Sequence, residues 1–293
     1  MDHVMLGDGR RLDVRVTGPA NGQVLVAHVG TPMAATRLRF LEGPAHERGL
    51  RVVTMSRPGY GDSTRRAGRT VVDAVADTRE VLEELGVTSC LVLGYSGGGP
   101  HALACAARLG GVRAVLVIAG TAPYMGDPVW MDGMGEENVK GFTAAVEGEE
   151  ALRPLLEEDP DRMQSVTVEQ MVENLASLLP DVDRALMTDE FGDDILASMQ
   201  EGYRVGVDGS LDDSLALVQP WGFELDEIDV PTILWQGSLD KMVPFSHGRQ
   251  LADRLTGAAS HLESGEGHVS IVVGAMGTML DELIAAGGEP PAE

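Results

Sequence analysis

Short apolar runs alternate with amphipathic stretches over the first 120 residues. Residues 12–17 and 24–29 predict two strands, with Gly18-Pro19-Ala20-Asn21-Gly22 as the turn between them. Residues 51–55 predict a third. Over residues 71–85, Val71, Val75, Thr78, Leu82 and Leu85 recur at helical spacing and Gly86 closes the pattern, which predicts an amphipathic helix. Ser89-Cys90-Leu91-Val92-Leu93 reads as the next strand, residues 100–109 as a helix, and the β-branched run at 112–119 as a buried parallel strand. Such alternation argues for an α/β fold: a mostly parallel, doubly wound sheet covered on both faces by helices.

The pattern breaks near Thr121. Between residues 124 and 229 no long buried strand is visible, only helix-like segments at 136–147, 149–156, 168–178 and 193–202, punctuated by Pro154, Pro160, Pro180 and Gly209. Val230-Pro231-Thr232-Ile233-Leu234-Trp235-Gln236 then returns to a buried strand. The expected organisation is an α/β core of residues 1–123 and 230–293, interrupted by a helical cap, or lid, of residues 124–229.

Charge divides the chain at the same place. Residues 124–229 hold 27 Asp and Glu against five Lys and Arg, a net of −22 out of −24 for the whole chain. The core is almost neutral. So acidic a block repels nucleic acid and anionic membrane, and neither is expected as a partner. Its carboxylates read either as a solvated surface or as a field favouring cationic or neutral substrates at a pocket mouth. The chain of 293 residues, 43% apolar, is long enough for a large core with a subdomain. Met1-Asp2-His3-Val4-Met5 lacks the basic and apolar regions of a signal peptide, and no run is read as long enough to span a membrane, so a cytoplasmic location is expected. Cys90 and Cys105 read as buried apolar residues rather than a disulfide. With no C-x-x-C pair, H-E-x-x-H or P-loop, no metal or nucleotide cofactor is expected.

Candidate chemistry centres on Gly94-Tyr95-Ser96-Gly97-Gly98, placed between a strand and a helix. A tight strand-to-helix turn lifts the serine hydroxyl clear of the sheet, and glycines flank it because side chains there would collide where the chain folds back. A serine hydroxyl needs a base, and the base needs a group that fixes its tautomer. Asp240, in Gly237-Ser238-Leu239-Asp240 after the 230–236 strand, and His268, in Gly265-Glu266-Gly267-His268, supply these in the order Ser, Asp, His. Asp226, Asp229 and Asp253 are less well placed acids, and His247 and His261 less well placed bases. The oxyanion of acyl transfer needs two N–H donors. Gly97 is one candidate, and Thr31 or Gly30, in His28-Val29-Gly30-Thr31-Pro32, the other. His28 reads as an organiser of that loop and His101 as a packing residue. Tyr95, His28, Met125, Trp130 and Met134 are candidates for the pocket wall.

With these motifs the chain resembles the α/β-hydrolase superfamily over nearly its whole length, most closely serine hydrolases of bacterial, actinomycete type with a helical cap. Ser56-Arg57-Pro58-Gly59-Tyr60-Gly61-Asp62-Ser63 is similar to the family's D-x-P-G-x-G-x-S loop, with Ser56 where Asp is usual. The resemblance implies a hydrolase that cleaves a small carboxylic ester through a Ser96 acyl-enzyme, with a pocket for short acyl groups. Serine at the elbow argues against haloalkane dehalogenase and epoxide hydrolase, which use aspartate there. A proline-iminopeptidase-like amidase, a cofactor-free perhydrolase and a ligand-binding receptor on a hydrolase scaffold stay open. Substrate specificity, pathway and oligomeric state are not legible.

Overall fold

The computed structural model describes residues 2–157 and 163–288; Pro160, read above as a break, lies outside them. Eight strands form one sheet in the order β1-β2-β4-β3-β5-β6-β7-β8. They are β1 (Asp2–Met5), β2 (Arg11–Thr17), β3 (Gln23–His28), β4 (Leu50–Met55), β5 (Cys90–Tyr95), β6 (Val112–Ile118), β7 (Thr232–Gly237) and β8 (Ala259–Glu263). β2 runs antiparallel to β1 and β4, and every other neighbouring pair is parallel. The central strands β3, β5 and β6 are apolar on both faces because helices cover both.

Successive side chains of a strand point to opposite faces, so β5 divides its residues between two apolar clusters. Val92 packs with Val26, Val115 and Leu103 on one face. Leu91 and Leu93 pack with Leu25, Leu116 and Leu41 on the other. The core helices are α1 (Arg39–Glu47), α2 (Ala74–Glu84) and α3 (Gly99–Arg108). The helical pattern at 71–85 resolves into a 3₁₀ turn, Val71–Asp73, followed by α2, because Thr70 and Asp73 form a reciprocal cap at the turn. β1 and β8 escape the sequence reading: each is a short edge strand with mostly exposed or half-buried positions.

The segment between β6 and β7 contains α4 (Glu136–Glu147), α5 (Glu149–Leu156), α6 (Val168–Asn174), α7 (Asp181–Arg184), α8 (Asp189–Gly202) and α9 (Asp208–Leu217), and no strand among its described residues. After it come α10 (Phe245–Arg254) and α11 (Ser270–Gly287). By length and composition α11 could cross a membrane, which differs from the expectation above. In the fold it packs on α1, β6 and β7, and Val272, Met279, Leu280 and Leu283 are fully buried. An apolar helix lying against a sheet passes the same test as a membrane span.

Helix α9 was not expected, because Gly209 reads as a break. The glycine instead lies inside the helix, where a Cβ would stand 2.6–2.8 Å from the ring carbons of Tyr60. From the same loop Gly59, at φ +93, comes so close that a Cβ there would stand 2.7 Å from the Gly209 amide nitrogen. This close approach seats α9 on the loop after β4. Gly209→Ala should therefore destabilise the protein by about 1–3 kcal/mol through overpacking, although alanine is the better helix former by about 1 kcal/mol. A lower urea midpoint is the expected result, and an unchanged or higher one would contradict the packing.

Candidate active site

At the end of β5 the chain turns directly into a short 3₁₀ turn and then α3, and Ser96 sits at this junction with φ 55. That left-handed conformation is unfavourable for a residue with a Cβ and is held by its surroundings. A Cβ on Gly94 would lie 2.6 Å from Ala102 Cβ, and one on Gly98 would run into the His28 and Val29 carbonyls. Only glycines allow β5, β3 and α3 to converge this closely beneath the serine.

Asp240 lies in the loop after β7 and is buried, as is His268 in the loop before α11. The His268 Nδ1–H donates to Asp240 Oδ2 at 2.7 Å. Because a carboxylate can only accept, this bond fixes the tautomer and leaves Nε2 as the basic nitrogen. Asp240 is itself saturated: Oδ1 accepts from the Met242 and Val243 amides, each at 2.8 Å, and Oδ2 also accepts from Gln236 Nε2 at 3.0 Å. Burial of the imidazole opposes its charge, but Asp240, with a smaller contribution from Asp183, raises the pKa above the ordinary 6.5. Tyr95 completes the surroundings, its ring 5.0 Å from that of His268 and its hydroxyl donating to the His268 carbonyl at 3.3 Å.

Ser96, Gly97, Gly30, Thr31, Tyr95 and His268 all line one cavity of about 380 Å³. Its walls are otherwise largely apolar, with Met33, Met163, Met171, Met187, Met199 and Met242 among them. Thioether side chains fill irregular space and adapt to bound groups. The volume falls within the usual range of small-molecule sites. Among the described acidic residues of 124–229, Glu137 is the one that lines the cavity.

Beneath the loop after β3 lies a buried ionic cluster. Arg57 Nη1 donates to the Val29 carbonyl at 2.6 Å and Nη2 to the Gly30 carbonyl at 3.2 Å. The same guanidinium pairs with Asp213 of α9 at 2.5 Å, and Arg69 pairs with the other oxygen of that carboxylate at 2.7 Å. The Tyr60 hydroxyl and Thr31 Oγ1 donate to Asp213 at 2.8 and 2.7 Å. Burial works against the Asp213 charge, but Arg57 and Arg69 hold the carboxyl well below the usual carboxylate range.

Residues 37–275 match the family model described as the alpha/beta hydrolase fold. The chain belongs to this family. This α/β-hydrolase is 30% identical over 101 residues to an uncharacterized hydrolase, YcgS, of Bacillus subtilis (strain 168), a match spanning 34% of each chain. Among solved structures it is similar to a hydrolase from Pseudomonas aeruginosa PA01, with a TM-score of 0.68, 20% identity and coverage of 96% of this chain and 97% of the other. An esterase, EaEST, from Exiguobacterium antarcticum gives a TM-score of 0.65 at 19% identity, covering 96% of this chain and 98% of that one. At such identities the structural likeness speaks for the fold.

In this α/β-hydrolase the expected pocket residues are dispersed. Tyr95 lines the cavity, but Met125 is 71% exposed. Trp130 and Met134 are buried outside the cavity wall; Trp130 packs on Tyr124, Phe142 and His247 and donates its Nε1–H to the Ala122 carbonyl at 2.8 Å. Trp130 thus closes over the chain's exit from β6 instead of facing the serine. His28 is also buried away from the cavity, 3.4 Å from Cys105 Sγ, and burial together with Arg57 lowers its pKa to about 3. His101 donates through Nδ1 to the Gly97 carbonyl at 3.0 Å. His247 is committed on both nitrogens, to the Ala122 amide and the Trp130 carbonyl, and His261 stacks on Trp235 and pairs with Glu282. Neither lines the cavity with Ser96.

Sequence reasoning missed Gln236, Arg57, Tyr60, Asp183 and Asp213. Arg57 and Tyr60 stood in a motif already noticed, but their partner Asp213 lies about 150 residues away and has no local signature. Asp213→Asn should cost about 3–5 kcal/mol at neutral pH, because Arg57 and Arg69 would keep buried charges without their counterion. A depressed folded-state pKa means that this stabilisation is present above the ordinary aspartate value of 3.8 and lost as pH falls through the folded value. In urea titrations the gap between variant and wild type should be constant near neutrality and narrow only in strong acid. A gap that widened on acidification would contradict the assignment.

Proposed function

We propose that this α/β-hydrolase is a serine hydrolase that cleaves carboxylic esters by two-step acyl transfer. The observation that carries the reading is the 2.7 Å bond from His268 to Asp240 in a cavity that His268 shares with Ser96. His268 Nε2 takes the Ser96 proton as the hydroxyl attacks the ester carbonyl, and Asp240 steadies the imidazolium that forms. The amides of Gly97 and Thr31 receive the oxyanion. His268 then returns the proton to the leaving alcohol, and water, activated by the same nitrogen, releases the acid and regenerates Ser96. The methionine-rich wall favours an ester with an apolar acyl or alcohol group of intermediate size. A single lining carboxylate among the described residues, Glu137, in a largely apolar cavity gives less support to a substrate ammonium and hence to an aminopeptidase.

Ser96→Ala should lower kcat on the order of 10⁶-fold with an unchanged circular dichroism spectrum, and turnover surviving in clean variant would overturn the nucleophile. Across p-nitrophenyl esters from acetate to palmitate, kcat/KM should rise with each methylene buried, at about 0.8 kcal/mol apiece. It should peak between butyrate and octanoate and fall for palmitate; a maximum at acetate would contradict the reading of the cavity. The base must be neutral to act and its pKa is raised, so the acid limb of kcat/KM should lie above pH 6.5.

A further inference from the structure

We propose that Asp183 is a positioning residue for His268, through which the inserted helices hold the catalytic base in place; this rests on His268 being that base. Asp183 belongs to the four-residue helix α7 and is 0% exposed. Its carboxylate is spent on the loop that carries the histidine. Oδ2 accepts from the His268 amide at 2.7 Å, and Oδ1 accepts from the Val269 and Ser270 amides at 3.1 and 2.8 Å. The amides lie at the start of the 18-residue helix α11, where that of Ser270 is an orphan donor and the N-cap position, Val269, has no side chain able to cap it. A carboxylate from a different part of the chain performs that task.

The approach depends on the glycine before the histidine. A Cβ on Gly267 would collide with all three terminal atoms of Asp183, so the Gly-His pair leaves room for the carboxylate as well as for the turn. His268 is thus fixed at three points: Asp240 holds Nδ1, Tyr95 holds the carbonyl oxygen and Asp183 holds the amide. The charged and titratable groups facing it among the described residues are Asp240 from the loop after β7, Asp183 from α7 and the Tyr95 phenol from β5. Asp183 is the one among them supplied by the inserted segment. Withdrawal of α7 from the core would remove three hydrogen bonds from the histidine loop at once, one from the His268 amide and two from the amides that follow it, so the base is competent only while these helices are docked. The negative charge of Asp183 also favours the imidazolium formed as Ser96 gives up its proton.

The test compares wild type, Asp183→Asn and Gly267→Ala as full chains. Asparagine keeps the shape but removes the charge and turns one acceptor into a donor; the alanine keeps the charge but displaces it. Expected for D183N are a kcat lower on the order of 10²-fold with KM within about twofold, a His268 imidazole pKa moved down in an NMR titration, and faster amide exchange at residues 268–270. G267A should reproduce the kcat loss and the faster exchange, and it carries the test should D183N fail to fold. Wild-type kcat together with an unchanged His268 titration in a folded D183N would overturn the proposal, as would wild-type kcat and exchange in G267A. Failure of a fluorophosphonate to label Ser96 in wild type would sink the hydrolase reading instead. The histidine titration and amide exchange would then still report whether Asp183 holds the loop, faster exchange supporting that hold and unchanged exchange refuting it.

Discussion

The buried carboxylate of Asp213 is where three parts of the molecule meet. Arg57 and Arg69 come from the core after β4, Thr31 from the loop after β3, and Asp213 itself from the inserted helices. Two guanidinium groups with 3% of their side chains exposed are tolerable only with a counterion, and the counterion arrives on α9. The loop carrying Gly30 and Thr31 is in turn held by the hydrogens Arg57 has to spare, which go to the Val29 and Gly30 carbonyls. Breaking this cluster from any side leaves a charge stranded in an apolar interior. Its effect is to specify one docking geometry for the inserted segment; a buried ion pair is weaker evidence for stability than for uniqueness.

That view changes what the acidity of residues 124–229 means. Most of those carboxylates are exposed or half-buried, which agrees with a solvated surface. A buried minority joins the segment to the core: Asp194 pairs with Arg39, Asp212 with Arg65, Asp213 with Arg57 and Arg69, and Asp183 caps the histidine loop. The near-neutral charge of the core conceals arginines aimed at the insertion. Electrostatic complementarity of this kind selects register and orientation, and it operates between two parts of one chain as it does between two proteins.

The cavity follows from the same docking. Its floor is the sheet end with Ser96, Gly97 and His268, whereas its walls come from α4, α5, α6, α8 and α9 together with Met33 and Met242 from core loops. Most of the buried charge is spent at the seams, and the cavity, Glu137 apart, is lined largely by methionine, leucine and other uncharged side chains. A hydrolase needs such an interior, because polar groups aimed at a developing oxyanion act more strongly where water is excluded. The inserted helices therefore supply both most of the cavity wall and, through Asp183 and Asp213, struts beneath the two loops that carry His268 and Thr31.

Local patterns determined the inner strands of the sheet and the elbow. Strands such as β5 and β6 are continuous apolar runs, and Gly94, Ser96 and Gly98 form a motif whose steric logic is complete within five residues. Asp240 and His268 were legible because each follows a recognisable strand or turn, and the fold brings them to one hydrogen bond. Tertiary structure alone decided the rest. Met125 and Trp130 are apolar neighbours in sequence, yet one is exposed and the other seals a loop, because orientation depends on what packs opposite. Gly209 broke a helix on paper and belongs to one in the fold, because Tyr60, about 150 residues earlier, needs the space of its missing side chain. The roles of Asp183 and Asp213 were invisible for the same reason: a carboxylate's partner is set by proximity after folding, and no local pattern of residues encodes it.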